Sequence, residues 1–330
     1  MINALACKNN NLHDRMNASS GGVFIVIARE IVNSGGVVYG AAFDEDFSVV
    51  HVRVTEPADL DRLCQSKYAF SSFGNAIRQC EKDLKEGRQV LFVGSPCQVA
   101  ALTRKLEKPY EKLFLVDIVC HGAPSAATWK KYLNEISRGK QIDSIQFRDK
   151  REGWLNYHLT IEYADGTSYS VNHKNELYMR AFIDNTILSE GCYSCQYKGI
   201  ETRVSDLTLG DYWGADTLSP AFFDDNGVSL VLIHTARGQA MIEKISSCLD
   251  SIEIDLDAAI SRNPSIMKPS RPGILRDRVK AYEIKTGSLY KALNHYYHPA
   301  LIRKFLVKFY KKWLLISGKI KARQAAEKSD

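Results

Sequence analysis

Three features of this 330-residue chain predict an α/β fold. The first is a strand-turn-helix pattern that occurs twice in succession. The second is a run of hairpin-like segments after it. The third is a basic amphipathic stretch at the C-terminal end. Together they describe a mixed sheet with parallel strand-turn-helix units, an inserted β-rich part and a C-terminal basic amphipathic helix. With 45% hydrophobic and 25% charged residues the chain can bury a real core, so a disordered or fibrous protein is excluded.

The elements follow in order. Val23 to Val32 is an apolar helix closed by Gly35-Gly36, with Ser19 or Ser20 as the expected N-cap. Two glycines, Gly21 and Gly22, stand at its start; a capped helix packed tightly on a neighbour and a backbone open to an anion both explain them. Val37 to Phe43 and Val49 to Val54 flank the turn residues Asp44-Glu45-Asp46 and read as a hairpin. Pro57 to Cys64 is a short helix, and the polar loop after it holds a lone lysine in Ser66-Lys67-Tyr68.

Ile77 to Lys85 is an amphipathic helix. Gln89 to Val93 is then a strand buried on both faces, Gly94-Ser95-Pro96-Cys97 a turn, and Gln98 to Leu106 a helix. A proline and a cysteine at a helix start put the thiol near unpaired N–H groups and the positive end of the dipole, a setting that suits a ligand or a nucleophile. Leu113 to Val119, Cys120 to Ser125 and Ala126 to Ile136 repeat the pattern. Right-handed crossovers then place both cysteine turns on one edge of the sheet.

From Ile142 the pattern becomes β: Ile142 to Arg148, then Tyr157 to Tyr163 and Ser168 to Val171 around Ala164-Asp165-Gly166-Thr167. Asn175 to Leu188 reads as a helix delivering the chain to Cys192-Tyr193-Ser194-Cys195. Ser205 to Tyr212 and Val228 to His234 are strands, Gln239 to Cys248 is a helix, and Pro264, Pro269 and Pro272 mark a linker. Pro299 to Arg323 sets Leu301, Ile302, Phe305, Leu306, Phe309, Trp313, Ile316 and Ile320 at helical spacing among basic residues. That pattern fits an anionic membrane surface or a partner protein.

Residues 296–330 hold nine Lys or Arg against two acids, so the net charge of +6 belongs to the tail and the body is close to neutral. A neutral body argues against nucleic acid as a partner. Apolar runs stay below the roughly 18–20 residues of a membrane span, and no signal peptide opens the sequence, so a cytoplasmic protein is expected. Eight cysteines then read as free thiols or ligands rather than disulfides. Cys97, Cys120, Cys192 and Cys195 are the candidate metal ligands: thiolates in an S4 set take zinc or an iron-sulfur cluster, and plain core thiols fit the spacing as well. Cys7, Cys64, Cys80 and Cys248 fall on or beside apolar faces and read as buried thiols. No Gly-x-Gly-x-x-Gly fingerprint follows a strand.

The chain resembles the coenzyme F420 hydrogenase/dehydrogenase beta subunit family from about Ser19 to about Thr235. The resemblance is carried by Ser19-Ser20-Gly21-Gly22, Gly40 to Asp44, Ser66-Lys67-Tyr68, Gly94-Ser95-Pro96-Cys97-Gln98, Cys120 to Ser125, Phe147-Arg148-Asp149-Lys150, Cys192-Tyr193-Ser194-Cys195 and Leu209 to Gly214. It implies an oxidoreductase that passes electrons between a [4Fe-4S] cluster, FAD and a hydride-accepting substrate such as coenzyme F420, with NAD(P)H as another substrate class. Cys97, Cys120, Cys192 and Cys195 would hold the cluster. Ser19, Ser20, Gly21, Gly22, Ser66, Lys67, Tyr68, Gly94, Ser95, Pro96 and Gln98 would line the flavin, with Lys67 neutralising an anion. Arg148 fits the same site or a surface ion pair; His121 fits a donor to sulfur or flavin, or a structural hydrogen bond. Only Cys7 lies upstream of Ser19, so electrons are expected from a separate ferredoxin-like protein or directly from a reduced nicotinamide or deazaflavin. The implied organisation is a flavin-binding part over 1–140, a β-rich part over 141–255 completing the site, a linker with helices over 256–298, and the basic helix over 299–330. A reading from a different class is a non-catalytic, zinc-stabilised, membrane-associated scaffold in a cell-surface polysaccharide pathway.

Overall fold

The computed structural model describes residues 2–220 and 222–298; the basic amphipathic stretch after residue 298 lies outside the described residues. Eleven strands form two sheets among the described residues. Along the chain these are β1 (Asn3–Asn9), β2 (Val37–Phe43), β3 (Val49–Val54), β4 (Val90–Gly94), β5 (Leu113–Ile118), β6 (Ile142–Asp149), β7 (His158–Tyr163), β8 (Ser168–Asn172), β9 (Leu207–Asp211), β10 (Ser229–Ile233) and β11 (Leu249–Glu253). The large sheet runs β11-β1-β10-β9-β5-β4-β2-β3, and the small one β6-β7-β8.

The parallel part is the centre of the large sheet, where β2, β4, β5 and β9 pair side by side. Its strands are apolar on both faces because helices cover both. Phe114 and Val116 of β5 join Leu91, Val231 and the helix Val23–Asn33 on one face; Leu113 and Leu115 join Val90, Phe92 and the helix Pro96–Leu106 on the other. Antiparallel strands flank this centre on either side, β3 beyond β2 and β10, β1 and β11 beyond β9.

The hairpin-like segment after residue 141 is divided between the two sheets. β6 to β8 form the small sheet, which packs through Ile145, Phe147, Leu159 and Ile161 on Trp129, Tyr132 and Tyr178. β9 to β11 return to the large sheet, so its strands come from both halves of the chain.

Four expectations change in detail. The helix Val23–Asn33 starts from Gly22, in a left-handed conformation (φ 81°), not from a serine. Ser19 and Ser20 are good caps in isolation, but both side chains are engaged elsewhere, as shown below. The helix predicted to run from Asn175 to Leu188 spans only Leu177–Ile183, because Asn185 turns left-handed (φ 59°) and its carbonyl accepts from Gly273 N and Tyr193 Oη. The helix expected over Gln239 to Cys248 is Ala236–Lys244 followed by a separate 3-10 turn, which leaves Cys248 exposed rather than buried. Cys64 is only partly buried, while Cys7 and Cys80 are in the core as expected. No helix among the described residues is long and apolar enough to cross a membrane.

Candidate functional site

The carboxyl ends of β4, β5 and β9 point the same way, since these strands are parallel. Just beyond them the chain places both cysteine turns. After β4, Ser95 caps the helix Pro96–Leu106 in a capping box with Gln98, which leaves Cys97 in the first helical turn. The Ser95 Oγ lies 3.2 Å from Cys97 Sγ. After β5, Cys120 and His121 lead into Gly122, whose φ of 136° excludes most side chains. A Cβ there would stand 2.8 Å from Leu188 Cδ1 and 3.3 Å from Cys192 Cβ, so the glycine is what lets this turn meet the Cys-x-x-Cys segment. The contact is made: Ala123 N donates to Cys192 Sγ at 3.4 Å, and Ser189 N donates to Ala123 O at 2.9 Å.

Two of the candidate thiols, Cys97 and Cys120, are influenced electrostatically by the others. Burial pushes the Cys97 thiol up, the Ser95 hydrogen bond lowers it, and the charges of Cys195 and Cys192 raise it. Burial likewise pushes Cys120 up to about 11, with Lys198 opposing and Cys97 and Cys192 adding to the rise. Burial and neighbouring thiols make Cys97 and Cys120 costly as free thiolates, and a bound cationic centre removes that cost. Among the described residues no three His, Cys, Asp or Glu side chains gather as closely as a single metal ion requires. A tetrahedral zinc with Zn–S near 2.3 Å draws its sulfurs to roughly 4 Å from one another. By its chemistry a set of four soft thiolates suits zinc or an iron-sulfur cluster.

The loop from Gln65 to Ser72 joins the remaining predicted pieces. Ser66 N donates to Ser19 Oγ at 2.6 Å, tying the loop to the segment before the helix Val23–Asn33. Gln98 Nε2 donates to Ser71 O and Oγ at 3.0 and 2.8 Å, tying it to the first cysteine turn. Phe70 N donates to Pro124 O at 2.8 Å, tying it to the second. Tyr68 packs against Phe182 and Phe147, and its hydroxyl accepts from Arg148 Nη1 at 3.0 Å.

The carboxyl end of β5 is open. Ile118 ends the central strand β5 on the face of Phe114 and Val116, yet it is 40% exposed. A sheet-centre isoleucine is exposed only where no helix covers it, and such uncovered strand ends are where ligands enter open α/β sheets. Nearby, the helix Val23–Asn33 has no side chain capping its start, so its first N–H groups suit an anion. A cleft of about 330 Å³ adjoins Ser66 and Lys67, walled by Phe43, Phe47 and Phe147; none of the four cysteines lines it.

Not every predicted residue faces that opening. Ser20 Oγ donates to Val228 O at 2.8 Å, and a Cβ on Gly21 would stand 2.3 Å from Cys7 O, so both pack the helix start onto β1 and β10. Lys67 donates all three N–H groups to the carbonyls of Arg62, Cys64 and Gln65 (3.0, 2.7 and 3.2 Å), and burial lowers its pKa to about 8. A Cβ on Gly94 would stand 3.2 Å from Gln98 Cβ and 3.4 Å from His51 Nε2. The His121 ring rests on Phe182, burial lowers its pKa, and its Nε2 has no hydrogen-bond partner. Arg148 is 1% exposed and pairs with Asp211 at 3.0 Å, with its guanidinium over the Tyr157 ring. Burial opposes that charge, but Asp211 holds the guanidinium protonated above its ordinary pKa.

Residues 87–256 match the family model that describes the C terminus of the coenzyme F420 hydrogenase/dehydrogenase beta subunit. The chain belongs to this family. Within the matched residues of this F420 hydrogenase/dehydrogenase family member lie all four candidate cysteines, Arg148 and Asp211. A chain of the F420-reducing [NiFe] hydrogenase complex from Methanosarcina barkeri has the same fold, with a TM-score of 0.55 at 14% identity over 86% of this chain and 92% of that one. None of the curated proteins matches the chain. Membership in a hydrogenase/dehydrogenase family makes this an oxidoreductase-type protein.

Three residues of the site were given no role by the sequence reading, although Lys150 and Asp211 stood in the motifs quoted above. Asp211 anchors Arg148 and accepts from Trp154 Nε1 at 3.1 Å. Lys150, buried, donates to the carbonyls of Arg15, Ser20 and Asn226 (2.6, 2.9 and 2.8 Å) and so fixes the loop before the first long helix. Lys198 donates to the carbonyl of Cys120. The available signal was charge in apolar company: a lone carboxylate ending the strand Leu-Thr-Leu-Gly-Asp demands a buried partner, and a lysine three residues after a Cys-x-x-Cys lies within reach of its thiolates.

Proposed function

We propose that the chain is an FAD- and [4Fe-4S]-dependent oxidoreductase that passes electrons between a cluster, a flavin and a hydride-accepting substrate such as coenzyme F420 or another small acceptor. The observation that carries this reading is the junction of the second cysteine turn with the Cys-x-x-Cys segment, where Ala123 N donates to Cys192 Sγ at 3.4 Å, beside the exposed strand end at Ile118. In this reading the four cysteines hold the cluster, the segment from Ser19 to Gly22 and the loop at Ser66 hold the flavin, and the two groups supply the exchange between one-electron and two-electron chemistry.

The protein's own part is position and electrostatics. Gly122 brings the second turn onto the Cys-x-x-Cys segment, and the Ala123 N–H helps carry the charge of the Cys192 sulfur. The Gln65 to Ser72 loop, bonded to Ser19, Gln98 and Pro124, holds the flavin side and the cysteine side in one register. Trp213 stacks on Trp154 (5.0 Å between ring centres) and roofs the Arg148–Asp211 pair, keeping water from that charge. A ferredoxin-like protein or a larger complex supplies the electrons in this reading.

The test is anaerobic purification followed by a visible spectrum and assays for iron, sulfide, flavin and zinc. The expected result is a brown protein with iron and sulfide in equal amounts and bound flavin. Cys192→Ser and Cys195→Ser lose the iron, whereas Cys248→Ser, at an exposed thiol, keeps it. A folded, colourless protein without iron rejects the reading, and zinc without flavin supports the scaffold instead.

A further inference from the structure

Lys198 stands out among the buried lysines near the site. An ammonium has three N–H groups to place. Lys67 and Lys150 each place all three on backbone carbonyls. Lys198 is 9% exposed and places two, on the carbonyls of Cys120 and of Ser265 (3.1 Å). Among the described residues its third N–H has no acceptor and no carboxylate pairs with it. The neighbouring buried cations are treated differently: Arg203, on the same loop, is paired with Asp117 at 2.6 Å, and Arg148 with Asp211. A buried cation without a counter-charge is costly, and a chain that keeps one beside Cys120 has the counter-charge supplied from elsewhere.

We infer that Lys198 is the counter-cation of the thiolate-bound centre at Cys120, a positioning residue that sets both the retention of that centre and its reduction potential. The inference rests on the reading of Cys97, Cys120, Cys192 and Cys195 as ligands. Four thiolates around an iron-sulfur core leave a net negative charge, and the potential of such a centre follows its net charge and the hydrogen bonds to its sulfurs. A fixed positive charge at Lys198 favours the reduced, more negative state and slows loss of the metal.

The experiment compares the full-length wild type with Lys198→Met, Lys198→Gln and Lys198→Arg, all purified anaerobically. Three quantities are read: the midpoint potential from an EPR-monitored titration, the rate of metal release to a chelator, and the melting temperature of the metal-free protein. Lys198→Met and Lys198→Gln should lower the potential until the reduced-to-oxidised ratio at a fixed potential falls tenfold, about 59 mV for one electron. Metal should leave several-fold faster, and Lys198→Arg should restore most of both effects. The metal-free Lys198→Met protein should melt no lower than the metal-free wild type, because the substitution removes an unpaired buried charge.

A role confined to tying Cys120 to Ser265 predicts the opposite pattern, with lower melting in the metal-free protein and an unchanged potential. Unchanged potential and unchanged release in cluster-bearing Lys198→Met and Lys198→Gln overturn the inference and leave the functional reading standing. A wild type that carries zinc instead of iron overturns the functional reading, and the same release assay on zinc then decides Lys198. A wild type with neither metal overturns both.

Discussion

The Arg148 corner and the Cys120 corner lie at the same carboxyl edge of the large sheet, and each buries a cation. At the first, Arg148 meets Asp211, the Tyr68 hydroxyl and the Tyr157 ring, so its charge is answered by the chain itself. At the second, Lys198 meets only carbonyls, beside thiols whose ionisation burial opposes. A corner that balances its own charge joins β6 to β9 and stabilises the fold; a corner that does not is completed by something bound. A third buried base, His51, takes another course. Its ring stacks on Phe92 (5.2 Å, 6°), its Nε2 donates to Val93 O at 3.1 Å, and burial lowers its pKa to about 4, so it stays neutral.

The comparison breaks most severely if the balanced corner is made to resemble the other. Asp211→Ala leaves Arg148 buried without its carboxylate and should cost about 3–5 kcal/mol, read from urea unfolding. Arg148→Met added to Asp211→Leu should recover most of that loss by removing both charges. Recovery by neither pair nor partner would show that the corner is not held by charge.

His51 tests the neutral solution through pH. In the unfolded chain its imidazole takes a proton below about 6.5, whereas in the folded chain it does so only near 4. The unfolded state therefore binds more protons across this window, and stability should fall as pH drops from about 6.5 toward 4. The share of this group is about 3 kcal/mol. His51→Phe, which preserves the stacking, should flatten that part of the curve, and an unchanged slope would rule the residue out as its source.

Gly122→Ala sharpens the Cys120 corner at the backbone. With φ at 136° and a new Cβ 2.8 Å from Leu188, the turn must shift, at a cost of about 1–3 kcal/mol. In the proposed reading the variant also retains less iron than the wild type, because the shift moves Cys120 relative to Cys192. A fall in melting temperature with full iron retention would separate packing from metal binding at this position.

Much of the centre of the fold was legible in the residues. The two strand-turn-helix units are locally consistent, with apolar runs, turn glycines and a Ser-Pro helix start each pointing to the same structure, and both recur with nearly the expected bounds. The flanks were not. β1 and β11 carry polar residues on both sides and pair only with each other and β10, so nothing local marks them as members of this sheet. The serine cap failed for a related reason: Ser19 Oγ is taken by Ser66 N and Ser20 Oγ is given to Val228 O, contacts 47 and 208 residues away along the chain.

By itself the sequence determined the parallel centre, the cysteine turns that end its strands and the glycine that one of them needs, because these depend on periodicity and on backbone conformations that few residues adopt. Tertiary structure decided which charges are answered. Asp211 stands 63 residues from Arg148 and Lys198 stands 78 from Cys120. Pairing over such distances is set by how the two sheets fold onto one edge, and only there does the chain show that it supplies a partner to one buried cation and withholds it from the other.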